Sequence, residues 1–236
     1  MVLACLLYAR SHLLVAKTPP AAAAAGMEAA AAKEATTTPT ATTTTTTTTE
    51  SARPLNNTVA SFFDLPPVPA LLPAPKSNPE AATVDLAALR GRVVVVFNSA
   101  SRCGFTQTNL KGLSALAKRL GPRGLTVLGF PCNAFGGQEP GGAFEIAEEL
   151  AKARGAELAS PYFMLASKVA AVAGADAHPV FRFLASGSKS STSSGSAPTW
   201  NFFKYVVGRD GKVAASFGSE YREAEVEAAV LEALAR

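Results

Sequence analysis

The sequence predicts a single α/β domain with a mixed central sheet and helices on both of its faces, following an extension of different character. Three observations carry this expectation. Residues 93–97 (VVVVF) form an apolar run of strand length, rich in β-branched side chains, as in a strand buried on both faces. A segment with helical spacing follows, and then a second apolar run, residues 125–130 (LTVLGF); strand, helix and strand within about forty residues make the two strands parallel. Near the C-terminus, Asp210-Gly211 separates two strand-like runs, a strong signal for an antiparallel hairpin.

The extension covers residues 1–57. It is dominated by alanine and threonine, with threonine unbroken from 42 to 49, and it has neither a period nor enough apolar surface to build a core. Its first 27 residues hold Arg10 and Lys17 but no acid, the character of an organelle address for a chloroplast or mitochondrion; without one, the chain reads as cytoplasmic. Residues 58–236 are enough for one ordinary domain. Of the 22 Lys/Arg and 18 Asp/Glu, four and three fall in residues 1–57, leaving 18 basic and 15 acidic side chains in the domain. That balance is too weak for a nucleic-acid or membrane-surface partner. No apolar stretch of about 18 residues is present, so no spanning helix is expected. Three cysteines (Cys5, Cys103, Cys132) make no disulfide scaffold, and two histidines make no metal cluster.

Each element follows from local pattern. Residues 59–65 suggest a short edge strand, and the proline-crowded residues 66–79 a loop inserted in a hairpin. Gly91 marks the turn before the valine strand. Leu110, Leu113, Leu116, Ala117 and Leu120 recur at three and four and define one helical face, stopped by Gly121-Pro122 and Gly124. Residues 131–142 are a loop. Residues 143–154 read as a helix with Ile146, Ala147, Leu150 and Ala151 inward; residues 155–176 are ambiguous; a short helix opens at His178-Pro179. After a polar loop (186–199), residues 200–207 alternate as a strand, residues 212–217 return beside it, and residues 221–236 close the chain as a helix. The order, βαβ, helices, then ββα, is the plan of a thioredoxin-like fold.

Cys103 sits where the valine strand gives way to a helix. Helix N-termini stabilise anions, and the thiolate is the reactive form of cysteine. Thr106 stands where a thioredoxin motif carries its second cysteine, so an internal dithiol cycle is absent from this turn. Arg102 would favour the thiolate if its side chain turned that way. Position alone leaves two readings open, a reactive thiol and a small buried apolar side chain. Taken singly, Trp200 fits a core aromatic and Gln138 a solvated loop residue.

Four ordered blocks decide between these readings: residues 98–106 (NSASRCGFT), 130–141 (FPCNAFGGQEPG), 176–179 (DAHP) and 200–204 (WNFFK). Together they resemble the glutathione peroxidase family across the whole foldable part of the chain. The resemblance implies a thiol peroxidase with a role in oxidative stress, reducing hydrogen peroxide and organic or lipid hydroperoxides. Cys103 matches the peroxidatic position, which is selenocysteine in some relatives. Gln138, Trp200 and Asn201 match the other members of the family's catalytic tetrad. All three side chains can donate hydrogen bonds to a thiolate and a departing oxyanion, and none needs to titrate.

Two departures stand out. Ala134 replaces a usual glutamine of the F-P-C-N block, which implies local repacking. Relatives reduced by thioredoxin carry a resolving cysteine in the helix after Q-E-P-G, near Leu150 or Ala151; here there is none, and Cys132 reads as a structural thiol. The implied cycle therefore runs on one cysteine, needs no cofactor, and takes glutathione or thioredoxin as reducing co-substrate. A peroxide sensor that relays its oxidation to a partner protein is the alternative. The short 186–199 loop implies a monomer, because tetrameric relatives carry a longer insertion there.

Overall fold

The computed structural model describes residues 59–72, 82–155, 160–187 and 197–236. The extension read over residues 1–57, the prolines beyond residue 72 and most of the polar loop at 186–199 lie outside the described residues. The strands are β1 (Val68–Pro69), β2 (Thr83–Val84), β3 (Val93–Ser99), β4 (Leu125–Pro131), β5 (Phe163–Leu165), β6 (Lys204–Val207) and β7 (Val213–Phe217). The helices are α1 (Thr106–Leu120), α2 (Ala143–Arg154), α3 (Pro179–Gly187) and α4 (Glu223–Ala235). β1 and β2 form a hairpin whose first strand lies inside the stretch read as loop at 66–79. The main sheet has the order β5-β4-β3-β6-β7. β3 runs parallel to β4, and β4 to β5, while β6 and β7 are antiparallel to their neighbours.

β3 sits at the centre because every one of its seven side chains is buried. Val93, Val95 and Phe97 enter a core with Leu110, Leu113 and Leu116 of α1, Ile146 and Leu150 of α2, and Val226 and Val230 of α4. Val94 and Val96 enter a second core on the other face, with Phe62, Phe63, Phe130, Tyr205 and Val180, Phe181 and Leu184 of α3. Burying a valine on either face contributes roughly 1.5–3 kcal/mol, so a four-valine run suits a strand covered on both sides.

Four expectations change. Residues 59–65 are no edge strand; Phe62–Asp64 is a 3-10 turn capped by Ser61, whose Oγ accepts the Phe63 N–H at 3.3 Å. Adjacent strand residues face opposite ways, whereas Phe62 and Phe63 both enter the second core, their rings meeting edge-on at 5.7 Å. The strand read at 200–207 begins only at Lys204, since Phe202 lies at φ 63°, outside any strand conformation, and Lys204–Val207 is buried throughout. Ala151 faces solvent, and Arg154 takes the inward place with its guanidinium over the Phe163 ring. The ambiguous stretch holds β5, whose register on β4 (Val127 with Phe163, Gly129 with Leu165) defines it better than its three residues do. No described helix is long and apolar enough to cross a membrane.

Gly129 of β4 lies directly across from Phe97 of β3. A Cβ there would fall 2.7 Å from Phe97 Cζ and 2.8 Å from Leu165 Cδ2. Gly129→Ala should overpack this core and cost about 1–3 kcal/mol, read as a lower denaturant midpoint with an unchanged m-value.

Candidate active site

The C-terminal ends of the parallel strands β3 and β4 open onto one edge of the sheet, where open α/β sheets place their sites. From β3 the chain turns through Ala100, Ser101, Arg102 and Cys103 into α1. The turn closes on Thr106, whose N–H donates to Cys103 O at 3.0 Å and whose hydroxyl lies 2.7 Å from the same oxygen and 2.6 Å from Ala100 O. Thr106 thus has a structural task where a dithiol motif would carry sulfur. Cys103 is a free thiol, 8% exposed.

From β4 the chain enters the 132–142 loop, which is fastened to the cysteine turn. Arg102 N–H donates to Gln138 O at 3.0 Å. The Glu139 carboxylate, wholly buried, accepts Ser101 N–H at 2.9 Å and Ser101 Oγ–H at 2.5 Å. Burial raises the Glu139 pKa, and the two Ser101 hydrogen bonds oppose that rise. Lys168 Nζ donates to Gly141 O at 2.7 Å and Glu139 O at 3.3 Å, holding the loop from its far side.

The third contributor is the turn ahead of β6. Asn201, wholly buried, donates through Nδ2 to Gln138 Oε1 at 3.0 Å and to Phe135 O at 3.4 Å. A backbone carbonyl can only accept, so the Phe135 contact fixes which end of the Asn201 amide is nitrogen. That choice in turn makes Gln138 an acceptor toward Asn201 and leaves its Nε2–H groups outside this pair. Asn201 Oδ1 is buried without a hydrogen-bond partner. Trp200 is 38% exposed, with its ring 5.9 Å from that of Phe135. Gly136, at φ 65°, threads between them: a Cβ there would lie 3.3 Å from the Trp200 ring and 3.5 Å from Gln138.

Gln138, Trp200 and Asn201 therefore converge, and Cys103 is tied to them through its own loop. Two expectations are modified. The Asn201 amide N–H groups are engaged by Gln138 and Phe135, so in this structure they hold Gln138 and are not free to donate elsewhere. Arg102 pairs with Glu145 of α2 at 2.9 Å and lies 3.7 Å from Glu149, on the exposed surface, so its charge is directed at α2. Cys132 is wholly buried, and burial raises its pKa. It packs in the core on the α3 face, whereas Cys103 packs in the core on the α1 face, so the sheet stands between the two thiols.

Sequence reading gave no role to Asn98, Asn109, Glu139, Lys168 or Lys204. Asn98 Nδ2 donates to Trp200 O and its Oδ1 accepts Phe203 N–H, both at 3.0 Å. Lys204 Nζ donates to Asn109 Oδ1 at 2.8 Å and Phe202 O at 2.6 Å. The available signal was polarity in the wrong place: an amide after five apolar strand residues, and a lysine opening another strand.

The family model for glutathione peroxidase matches residues 74–185, a span that holds Cys103 and Gln138. The chain is 42% identical over 155 residues to glutathione peroxidase 7 of Mus musculus, covering 66% of this chain and 77% of that protein. It is 42% identical over 153 residues to hydroperoxy fatty acid reductase gpx1 of Synechocystis sp., covering 63% and 86%. Among solved structures it is similar to Trgpx in apo form, with TM-score 0.53 and 30% identity, covering 75% of this chain and 97% of that one.

Burial draws the Lys204 pKa down from 10.5 to about 7. Between these values the unfolded chain binds more protons than the folded one, so this group makes stability rise with pH. Its contribution is complete above about 10.5 and is lost as pH falls through about 7. Urea midpoints measured from pH 6 to 10 should rise more steeply for the wild type than for Lys204→Met.

Proposed function

The chain belongs to the glutathione peroxidase family of oxidoreductases acting on peroxide, and we propose that it reduces hydroperoxides through the sulfur of Cys103. The observation that carries this reading is the junction of the cysteine turn with the Gln138 loop, together with the Asn201–Gln138 hydrogen bond that orients a donor amide. In the first step the Cys103 thiolate attacks the distal peroxide oxygen. An S–O bond forms, the O–O bond breaks, sulfur is oxidised to sulfenic acid, and the alkoxide takes a proton and leaves as alcohol, or water from hydrogen peroxide. Gln138 Nε2–H and the Trp200 indole N–H are the donors proposed for the charge that moves from sulfur to oxygen.

Reduction is proposed to use an external thiol. A glutathione thiol condenses with the sulfenic acid, releasing water and leaving a mixed disulfide. A second glutathione thiolate attacks the glutathione sulfur, giving glutathione disulfide and the Cys103 thiolate. Two observations support this over internal resolution: Cys132 is wholly buried, and it lies across the sheet from Cys103. The physiological setting proposed is defence against oxidative stress.

Fatty acyl hydroperoxides are the proposed preferred substrates. Phe105, Phe144 and Trp200 are the exposed large hydrophobic side chains among the described residues, at 40%, 65% and 38%. Phe105 is two residues beyond Cys103, and Phe144 adjoins Glu145, the partner of Arg102. Such an apolar rim suits an acyl chain, and the Synechocystis relative is named a hydroperoxy fatty acid reductase.

Hydroperoxide consumption, followed with glutathione and separately with thioredoxin, should vanish in Cys103→Ser, and wild-type rates in that variant would refute the assignment. Gln138→Ala should lower the second-order rate roughly 10²-fold, the usual effect of losing one positioned donor. Glutathione should outpace thioredoxin. Slow turnover with both, accompanied by a trapped mixed disulfide to a protein, would identify the relay instead.

A further inference from the structure

Lys204 is the first residue of β6 and has no solvent exposure. Burying a lysine amine is costly unless its donors are satisfied. Here Nζ meets three oxygens: Phe202 O at 2.6 Å, Asn109 Oδ1 at 2.8 Å and Ser219 O at 3.3 Å. None is a carboxylate, and these bonds place Nζ between three separate segments. Asn109 belongs to α1, the helix that follows the cysteine turn, and its Nδ2 donates to Phe105 O at 3.0 Å and Ser219 O at 2.9 Å. Ser219 lies between β7 and α4. Phe202 directly follows Trp200 and Asn201.

Phe202 is also the only non-glycine residue with positive φ among those described, at 63°. A bulky side chain in that conformation costs energy, and it persists only where the surroundings enforce it. Its N–H donates to Asn98 O at 2.7 Å, and its C=O accepts from Lys204. One hydrogen bond thus ties each end of the residue, one from β3 and one from β6. Whatever sets the Phe202 backbone sets the direction in which the preceding Trp200 and Asn201 point.

We propose that Lys204 is a positioning residue for the peroxidase reaction: its Nζ clamps the strained Phe202 carbonyl to Asn109 of α1 and so fixes Trp200 and Asn201 relative to the turn that carries Cys103. This rests on the reading of Cys103 as the peroxidatic sulfur. Lys204 touches no reacting atom; it acts through the turn. An amine keeps at least two N–H donors in either protonation state, enough for the two short bonds.

Trp200 is the chain's single tryptophan, so its emission reports the turn directly. Lys204→Met keeps the unbranched stem and removes the donors. The expected result is a folded protein whose Trp200 emission maximum shifts and whose acrylamide quenching rises, with at least a tenfold lower second-order rate for hydroperoxide. The KM for glutathione should stay within twofold. An unchanged emission spectrum in folded Lys204→Met overturns the proposal, whatever happens to the rate. Asn109→Asp and Asn109→Ala carry the test if the Met variant does not fold. Both lose the Nδ2 donors, but only Asp keeps an acceptor for Lys204, so Trp200 should be displaced in Ala and near native in Asp; identical spectra would overturn the clamp. Wild-type hydroperoxide consumption by Cys103→Ser would instead mark failure of the Cys103 reading, and the emission comparisons would still judge Lys204.

Discussion

The site depends first on the Asn98 side chain. β3 is apolar on both faces for five residues, and the sixth is a fully buried amide. A buried amide must find partners or destabilise the fold by a few kcal/mol. Asn98 finds them in the main chain of the Trp200–Phe203 turn: Trp200 O, and Phe203 N–H. Its own backbone oxygen receives Phe202 N–H. These three bonds weld the turn to the strand that, a few residues later, delivers Cys103. The sequence separation exceeds one hundred residues, so this contact, more than any local propensity, determines that the two halves of the site meet.

The remaining polar residues extend the same device. Glu139 binds Ser101 through its N–H and hydroxyl, Lys168 binds carbonyls of the 139–141 backbone, and Lys204 binds Phe202 O and Asn109. Two buried ionisable groups, Glu139 and Lys204, and the exposed Lys168 are thus held by backbone groups, hydroxyl and amide, with no ion pair of opposite side-chain charges among these bonds. Hydrogen bonds to main chain fix a loop in register, which an exposed surface ion pair such as Arg102–Glu145 does only weakly. The groups around the thiol are accordingly dipoles of fixed direction. His178 takes no part among them: it packs 5.7 Å from the Phe130 ring on the α3 face, where burial lowers its pKa.

What the sequence made legible was set by local pattern. The valine run, the α1 periodicity and the Asp210-Gly211 turn each carry their meaning within a few residues, and β3, α1 and the turn between β6 and β7 stand where they were read. The four short blocks marked Cys103, Gln138, Trp200 and Asn201 through resemblance. What stayed hidden needed partners far away in the chain. β5 has only three residues and is defined by its pairing with β4. The Phe62–Asp64 turn reads as a strand until both phenylalanines are seen to share one core. The strand expected from Trp200 fails because Phe202 is held at positive φ from two sides. The inner supports, Asn98, Asn109, Glu139, Lys168 and Lys204, look like ordinary polar residues until their partners, up to 105 residues away, are in view.

The two thiols show how the sheet itself constrains the chemistry. Cys132 follows β4, and its N–H donates to Ser99 O, so its main chain is level with the end of β3 and only a few residues short of Cys103 in register. Proximity along the sheet edge does not make a disulfide, because the two side chains enter cores on opposite faces of the sheet. Leu128, Phe130 and Cys132 fall on the α3 side, and Val95, Phe97 and, past the turn, Cys103 on the α1 side. A disulfide tolerates a narrow range of Cβ separations and directions, and thiols on opposite faces would meet it only if the turn that carries Cys103 or the backbone after β4 moved. Such a movement would strain the Arg102–Gln138 and Ser101–Glu139 hydrogen bonds that join the two loops. An external thiol, the reductant proposed above, would leave those hydrogen bonds in place, so the division of the two thiols between the faces of the sheet supports that proposal.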